Sequence, residues 1–301
     1  KLVFVGVKNG KTALYLRRIE DPVAQPIRGG DAGTSGVNVS PTFSPDGEWV
    51  IYEVDQVLKK IPTAGGTPQV LADTGGSASW GERGTLAYTR SRALWLGTPE
   101  GRDARVIALP DTTRGVFGYA WPEVLPGAEY ALLTLNRAPA GTLVLDSLRL
   151  GVVSLRTGAV VDLGVYGTNA HYVSTGHVVF GRAGGLVFVA PFSLRTRAIV
   201  GPASLLLENI WQGSGGATGF AVSGNGTLVY HEGRLLTGRE LVAVDRSGAV
   251  RRLPGEPLDF VSPRLSPDGR RIAGDVRSPS GRIGVSLIDL STGARERLTP
   301  D

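Results

Sequence analysis

A tight turn followed at once by an apolar strand recurs along this 301-residue chain, and no other feature restricts the fold as much. Ser44-Pro45-Asp46-Gly47 precedes Trp49-Val50-Ile51-Tyr52, and Ser266-Pro267-Asp268-Gly269 precedes Arg271-Ile272-Ala273-Gly274. Weaker copies end on Gly84, Gly127, Gly176 and Gly226, each just before an apolar strand such as Tyr130-Ala131-Leu132-Leu133 or Val178-Val179-Phe180. The six turn glycines are spaced by 37, 43, 49, 50 and 43 residues. In these turns Pro presets φ, Asp bonds neighbouring backbone, and Gly supplies the positive φ that closes a hairpin. A lone hairpin cannot bury its apolar face, so the repeat calls for stacked sheets of about 40–45 residues each.

A second pattern follows each hairpin: a short strand, a Gly-centred turn and another strand. It runs through Gly65-Gly66, Gly101, Thr157-Gly158, Gly248 and Thr292-Gly293. The two patterns together predict an all-β chain, a β-propeller of four-stranded antiparallel blades forming a single domain over 1–301. New blades are expected near Asn38, Gly75, Arg114, Gly167, Trp211 and Leu258. Seven blades are expected, with six or eight as alternatives, and the first lacks its innermost strand because Lys1–Val7 reads as a second strand. The row begins with Lys1 and holds no methionine, which suggests a segment of a longer polypeptide.

Composition removes several function classes. Without cysteine there is no disulfide scaffold, Cys-ligated zinc or thiol nucleophile. No apolar run approaches the ~18 residues of a membrane span. The net charge of +5 is scattered in pairs such as Arg17-Arg18 and Lys59-Lys60, so nucleic acid is not an expected partner.

The Ser-Pro-Asp-Gly turns, Gly65-Gly66-Thr67-Pro68 and the Arg297-Leu298-Thr299 ending resemble the TolB-like, WD-repeat-like β-propellers of bacteria. Lys1–Arg17, Leu58–Leu71, Ser262–Arg271 and Thr175-Gly176-His177 are similar to propellers that follow the kinase domain of membrane-bound bacterial serine/threonine protein kinases. The resemblance covers essentially the whole row. It implies an extracytoplasmic domain tethered outside this segment, acting in ligand sensing or protein interaction. Kinase motifs themselves are absent from the row.

Candidate chemistry is sparse. The three histidines, His171, His177 and His231, fall at non-equivalent positions and predict no shared metal. Asp46 and Asp268 are explained by their turns, and Gly29–Gly36 lacks the lysine of a phosphate loop. No Gly-x-Ser-x-Gly elbow occurs. No cofactor is expected. The candidates for a ligand site at a channel mouth are Trp80, Arg114, Tyr119, Trp121, Asn169, His171, Tyr172 and Arg264, on or near innermost strands; packing between blades is the competing role for the aromatics. The leading expectation is a non-catalytic domain that binds a protein, peptide or small molecule. The alternatives are the propeller of an enzyme, either a metal-dependent lyase or the gate of a prolyl-oligopeptidase-type hydrolase, and a free-standing periplasmic interaction module.

Overall fold

The computed structural model describes residues 1–9, 11–31, 40–139, 144–233, 241–255, 258–277 and 283–299. Strands run up and down in successive antiparallel sheets. The first sheet holds β1 (Leu2–Lys8), β2 (Lys11–Arg17) and β3 (Gln25–Asp31). The second holds β4 (Thr42–Phe43), β5 (Trp49–Val54), β6 (Val57–Pro62) and β7 (Gln69–Ala72). Next comes β8 (Ala78–Trp80), β9 (Leu86–Arg90), β10 (Ala93–Gly97) and β11 (Arg105–Ala108). The following sheet is β12 (Gly118–Val124), β13 (Tyr130–Asn136), β14 (Arg149–Ser154) and β15 (Val160–Tyr166).

After it stand β16 (Thr168–Val173), β17 (His177–Arg182) and β18 (Leu186–Ser193), with β19 (Ala198–Ile199) and β20 (Ser204–Leu207) both pairing β18. Two short ladders follow, β21 (Phe220–Val222) with β22 (Leu228–Tyr230), and β23 (Val242–Val244) with β24 (Val250–Arg252). The last sheet is β25 (Asp259–Leu265), β26 (Arg271–Arg277), β27 (Ile283–Asp289) and β28 (Arg295–Arg297). Helical structure among the described residues is confined to four single 3₁₀ turns.

All six turn glycines read from the sequence sit between the first and second strands of a sheet, and all six have φ between 67° and 88°. Among the described residues the first sheet holds three strands. Where one four-stranded sheet was expected after Trp211, the described residues form two separate ladders; residues 234–240, which would join them, lie outside the described part. Most of the Gly29–Gly36 stretch also lies outside it; its first three residues end β3.

The core lies between neighbouring sheets. Ala131, Leu133, Leu135 and Val153 pack with Ala87 and Leu94 of the preceding sheet, while Leu132, Leu150 and Val152 pack with Val178, Phe180 and Ala190 of the following one. Alternate residues of β13 therefore serve two different cores, which is why this strand reads as a continuous apolar run. In four sheets the second Gly turn seats on the sheet before it. Gly66 N donates to Arg28 O at 2.9 Å, and Gly158 lies so near Ile107 that a Cβ would stand 2.0 Å from its carbonyl oxygen. Gly101 approaches Leu71 and Gly293 approaches Gly255 in the same manner.

The turn aspartates are acceptors for their own turns. Asp46 accepts from Glu48 N at 3.0 Å, Asp268 from Arg270 N at 3.1 Å, Asp245 from Ser247 N at 2.8 Å and Asp289 from Ser291 N at 2.9 Å. Hydroxyl donation from Ser44, Ser266, Ser247 and Ser291 is the largest influence lowering these four carboxyl pKa values, that of Asp289 to about 2. A depressed carboxyl contributes stability above its unfolded value and loses it as pH falls through the folded one. The melting temperature should therefore drop between about pH 4 and pH 2, and Asp289→Asn should flatten part of that drop. A flat wild-type profile would show that these carboxylates do not hold the turns.

Candidate binding site on the innermost strands

Three innermost strands carry one extra residue at the same place. The register shifts between Ala120 and Glu123 in β12, between Thr168 and His171 in β16, and between Val261 and Arg264 in β25. Such bulges redirect side chains. Trp121 and Asn169 occupy the same bulge position, and both have φ of 50°. For a residue as bulky as Trp this left-handed conformation costs about 1–2 kcal/mol and persists only where its surroundings hold it.

Hydrogen bonds to neighbouring parts of the fold hold both residues. Trp121 N donates to Ser77 Oγ at 2.9 Å, and Asn169 N donates to Thr134 Oγ1 at 3.1 Å, each reaching the preceding sheet. Trp121 Nε1 donates to Gly215 O at 2.9 Å, and Asn169 Nδ2 to Thr218 O at 3.4 Å. Both acceptors lie in the connection leading into β21. This polar stitching joins the sheets of β8, β12 and β16 to the connection leading into β21.

Two residues further on, the next equivalent position places Glu123 beside β16. Its Oε1 accepts from Tyr172 N at 2.7 Å, and its Oε2 is bonded to His171 Nδ1. Ser79 occupies the matching place one sheet earlier and accepts from Val124 N at 3.0 Å. The Glu123 and His171 side chains are 23% and 25% exposed, so the pair is screened but reachable. Burial opposes charge on His171, but the Glu123 carboxylate and its hydrogen bond outweigh it and raise the imidazole pKa above 6.5. The Phe220 ring meets His171 edge-on, with centroids 5.4 Å apart. The arrangement offers a held imidazole–carboxylate pair against the Phe220 ring, which suits binding of a polar ligand or peptide.

The Trp121 and Asn169 side chains both reach the 215–218 connection and His171 bonds Glu123, while the other candidates lie elsewhere. Tyr172 gives its backbone N–H to Glu123, but its ring packs on Phe192. Tyr119 is buried in the core with its hydroxyl donating to Leu109 O at 3.1 Å. Trp80 packs with Ile51, Leu58 and Tyr88, with Lys60 Nζ 5.8 Å from its ring. The wedge between sheets takes these rings because they are the largest apolar surfaces available. Arg114 sits in a 3₁₀ turn with an exposed side chain, and Arg264 donates only to Pro263 O. Arg264 nonetheless shares the register position of Glu123 and His171. In the sequence Phe220 is one of several aromatics on innermost strands that could line a channel mouth and Glu123 one of several carboxylates, and nothing there joins either to His171. Only the aligned bulges identify them, and a bulge leaves no mark in an apolar pattern.

Among the described residues no group of three or more His, Cys, Asp or Glu comes together, and no helix is long and apolar enough to cross a membrane. No family model matches the chain, and no curated protein matches it. Solved structures do. Regucalcin, a calcium-binding protein of Agrobacterium tumefaciens, is 14% identical with a TM-score of 0.50 over 79% of this chain and 81% of that one. A puromycin-hydrolysing peptidase of Mycobacterium tuberculosis is 17% identical, TM-score 0.50, over 99% of this chain and 52% of its own. The chain folds as a β-propeller. A TolB structure from Agrobacterium tumefaciens is also similar, at 13% identity and TM-score 0.40 over 86% of this chain and 79% of that one. At such identities the propeller likeness is one of architecture, and this propeller spans about half the length of the peptidase.

Proposed function

We propose that this propeller is a binding domain, which takes a small molecule or a peptide segment where Trp121, Asn169, Glu123 and His171 meet and does not turn it over. The observation that carries the reading is the pair of left-handed bulge residues, Trp121 and Asn169, at equivalent positions and fixed by contacts to neighbouring sheets. Strain kept in this way by ordered contacts marks places where a fold presents groups to a ligand. With the sequence resemblance, the reading extends to the sensor part of an extracytoplasmic receptor kinase.

A hexapeptide library and a set of amino acids, sugars and nucleotides, screened by thermal upshift, test the binding reading. Stabilisation by one of them that disappears in Trp121→Ala and His171→Gln supports it. Hydrolysis of puromycin or an aminoacyl-naphthylamide by the purified chain would overturn it. The second reading, a gate for a hydrolase, draws on the alignment of nearly the whole chain with about half of a peptidase. Intact mass and peptide mapping of the native polypeptide separates the two: an attached kinase supports the sensor, and an attached hydrolase supports the gate.

A further inference from the structure

A second group of side chains lies at the outer part of the fold and shares no residue with the bulge site. Asp162 on β15 stands between two arginines. Its Oδ2 accepts from Arg137 Nη2 at 2.8 Å, and its Oδ1 lies 3.3 Å from Arg149 Nε while accepting Gly164 N at 2.8 Å. The Arg149 guanidinium stacks on the Tyr166 ring, 5.1 Å from its centroid, and Tyr166 is 53% exposed. From the following sheet, Arg182 Nε donates to the carbonyl of the same Tyr166 at 2.9 Å, with its guanidinium 4.1 Å from the Phe188 centroid.

Two guanidinium groups thus flank the Asp162 carboxylate, and a third lies beside Tyr166. Arg182 faces no carboxylate among the described residues, and burial lowers its pKa, so its charge is held against a desolvation cost. The Nε atoms of Arg137 and Arg149 are buried without a hydrogen-bond acceptor. Arg182 gives its Nε–H to the Tyr166 carbonyl, and the Nη side of its planar fork is suited to a carboxylate that approaches in its plane. Among the described residues β15 is also an edge strand, paired only with β14, and Val161 and Tyr166 are exposed along it. Exposed apolar and Tyr surface with arginine around it is the composition of a protein-binding surface.

We propose that the edge of β15, with Arg137, Arg149, Arg182 and Tyr166, is a docking surface for an acidic segment of a protein partner. Charge complementarity selects this partner: the surface has three cations and one anion, and the anion is already bonded on both oxygens. Carboxylates of the partner supply acceptors for the remaining guanidinium N–H groups, and its backbone can extend the open edge of the sheet.

Fluorescence polarisation with a labelled hexaglutamate peptide, at low salt, tests this on the whole chain. Binding should weaken about tenfold in Arg149→Gln and in Arg182→Gln, and fall further as salt is raised. Arg105→Gln and Arg246→Gln remove the same charge from other exposed places and should change binding less than about twofold. If Arg149→Gln lowers the melting temperature, the comparison rests on Arg182→Gln, whose contacts are to a backbone carbonyl and a ring face. Equal weakening in all four variants would overturn the proposal in favour of non-specific charge attraction. Absence of binding up to about 1 mM peptide would also overturn it. So would competition by inorganic phosphate beyond that of chloride at equal ionic strength, which would mark a small-oxyanion site instead.

Discussion

Gly158→Val should be among the most damaging single substitutions outside the apolar core, costing about 3–5 kcal/mol. Two effects add. Gly158 has φ of 75°, which a branched residue adopts only with strain, and its Cβ would meet Ile107 O at 2.0 Å. That oxygen belongs to the backbone of β11 in the preceding sheet and cannot swing aside. Gly47 is the control. Its φ is 71°, but nothing lies within 4 Å of the Cβ position, so Gly47→Val should cost only the conformational part, about 1–3 kcal/mol. Thermal melts should separate the two variants, with Gly158→Val lower than wild type by on the order of 10 °C. Equal losses would mean that the close approach to β11 is relieved by a shift of the sheets.

Glu123→Ala should cost about 2–4 kcal/mol, because it leaves both the Tyr172 N–H and a raised-pKa imidazole without an acceptor. The milder Glu123→Gln carries the pH test. His171 has a folded-state pKa above its unfolded value, so its ion pair contributes fully below about pH 6.5 and is lost as pH rises through the folded value. The gap in melting temperature between wild type and Glu123→Gln should therefore be widest in mild acid and should narrow towards alkaline pH. A gap independent of pH would show that Glu123 acts only as an acceptor for Tyr172.

The architecture was legible in the sequence because its signals are local. A glycine that must take positive φ, and a Pro-Asp pair that bonds its own turn, declare themselves within four residues, as at Gly47 and Gly269. The site was legible only in part. Trp121, Asn169 and His171 were found by their place on innermost strands. Trp80 and Tyr119 have the same place, and what separates them is the direction of the side chain, set by registers such as Ala78↔Tyr88 and Tyr119↔Leu135. The Glu123–His171 pair spans 48 residues and the Trp121–Gly215 bond 94, distances over which no pattern in one sequence points to a partner. The arginines around Asp162 went unseen for the same reason.

Four of the second Gly turns seat on the sheet before them, whereas a Cβ at Gly248 would meet nothing within 4 Å, and this seating gives the fold a direction. Gly66 donates to Arg28, and Gly101, Gly158 and Gly293 stand against Leu71, Ile107 and Gly255, in these four turns from later to earlier in the chain. Where the pattern has no glycine, Arg197 covers the Tyr130 ring of the earlier sheet, 4.5 Å from its centroid. Loosening one sheet therefore unseats the turn of its successor, while its predecessor keeps its own support. Local opening should spread towards the C-terminus more readily than towards the N-terminus, and amide exchange should record that asymmetry as a gradient of protection.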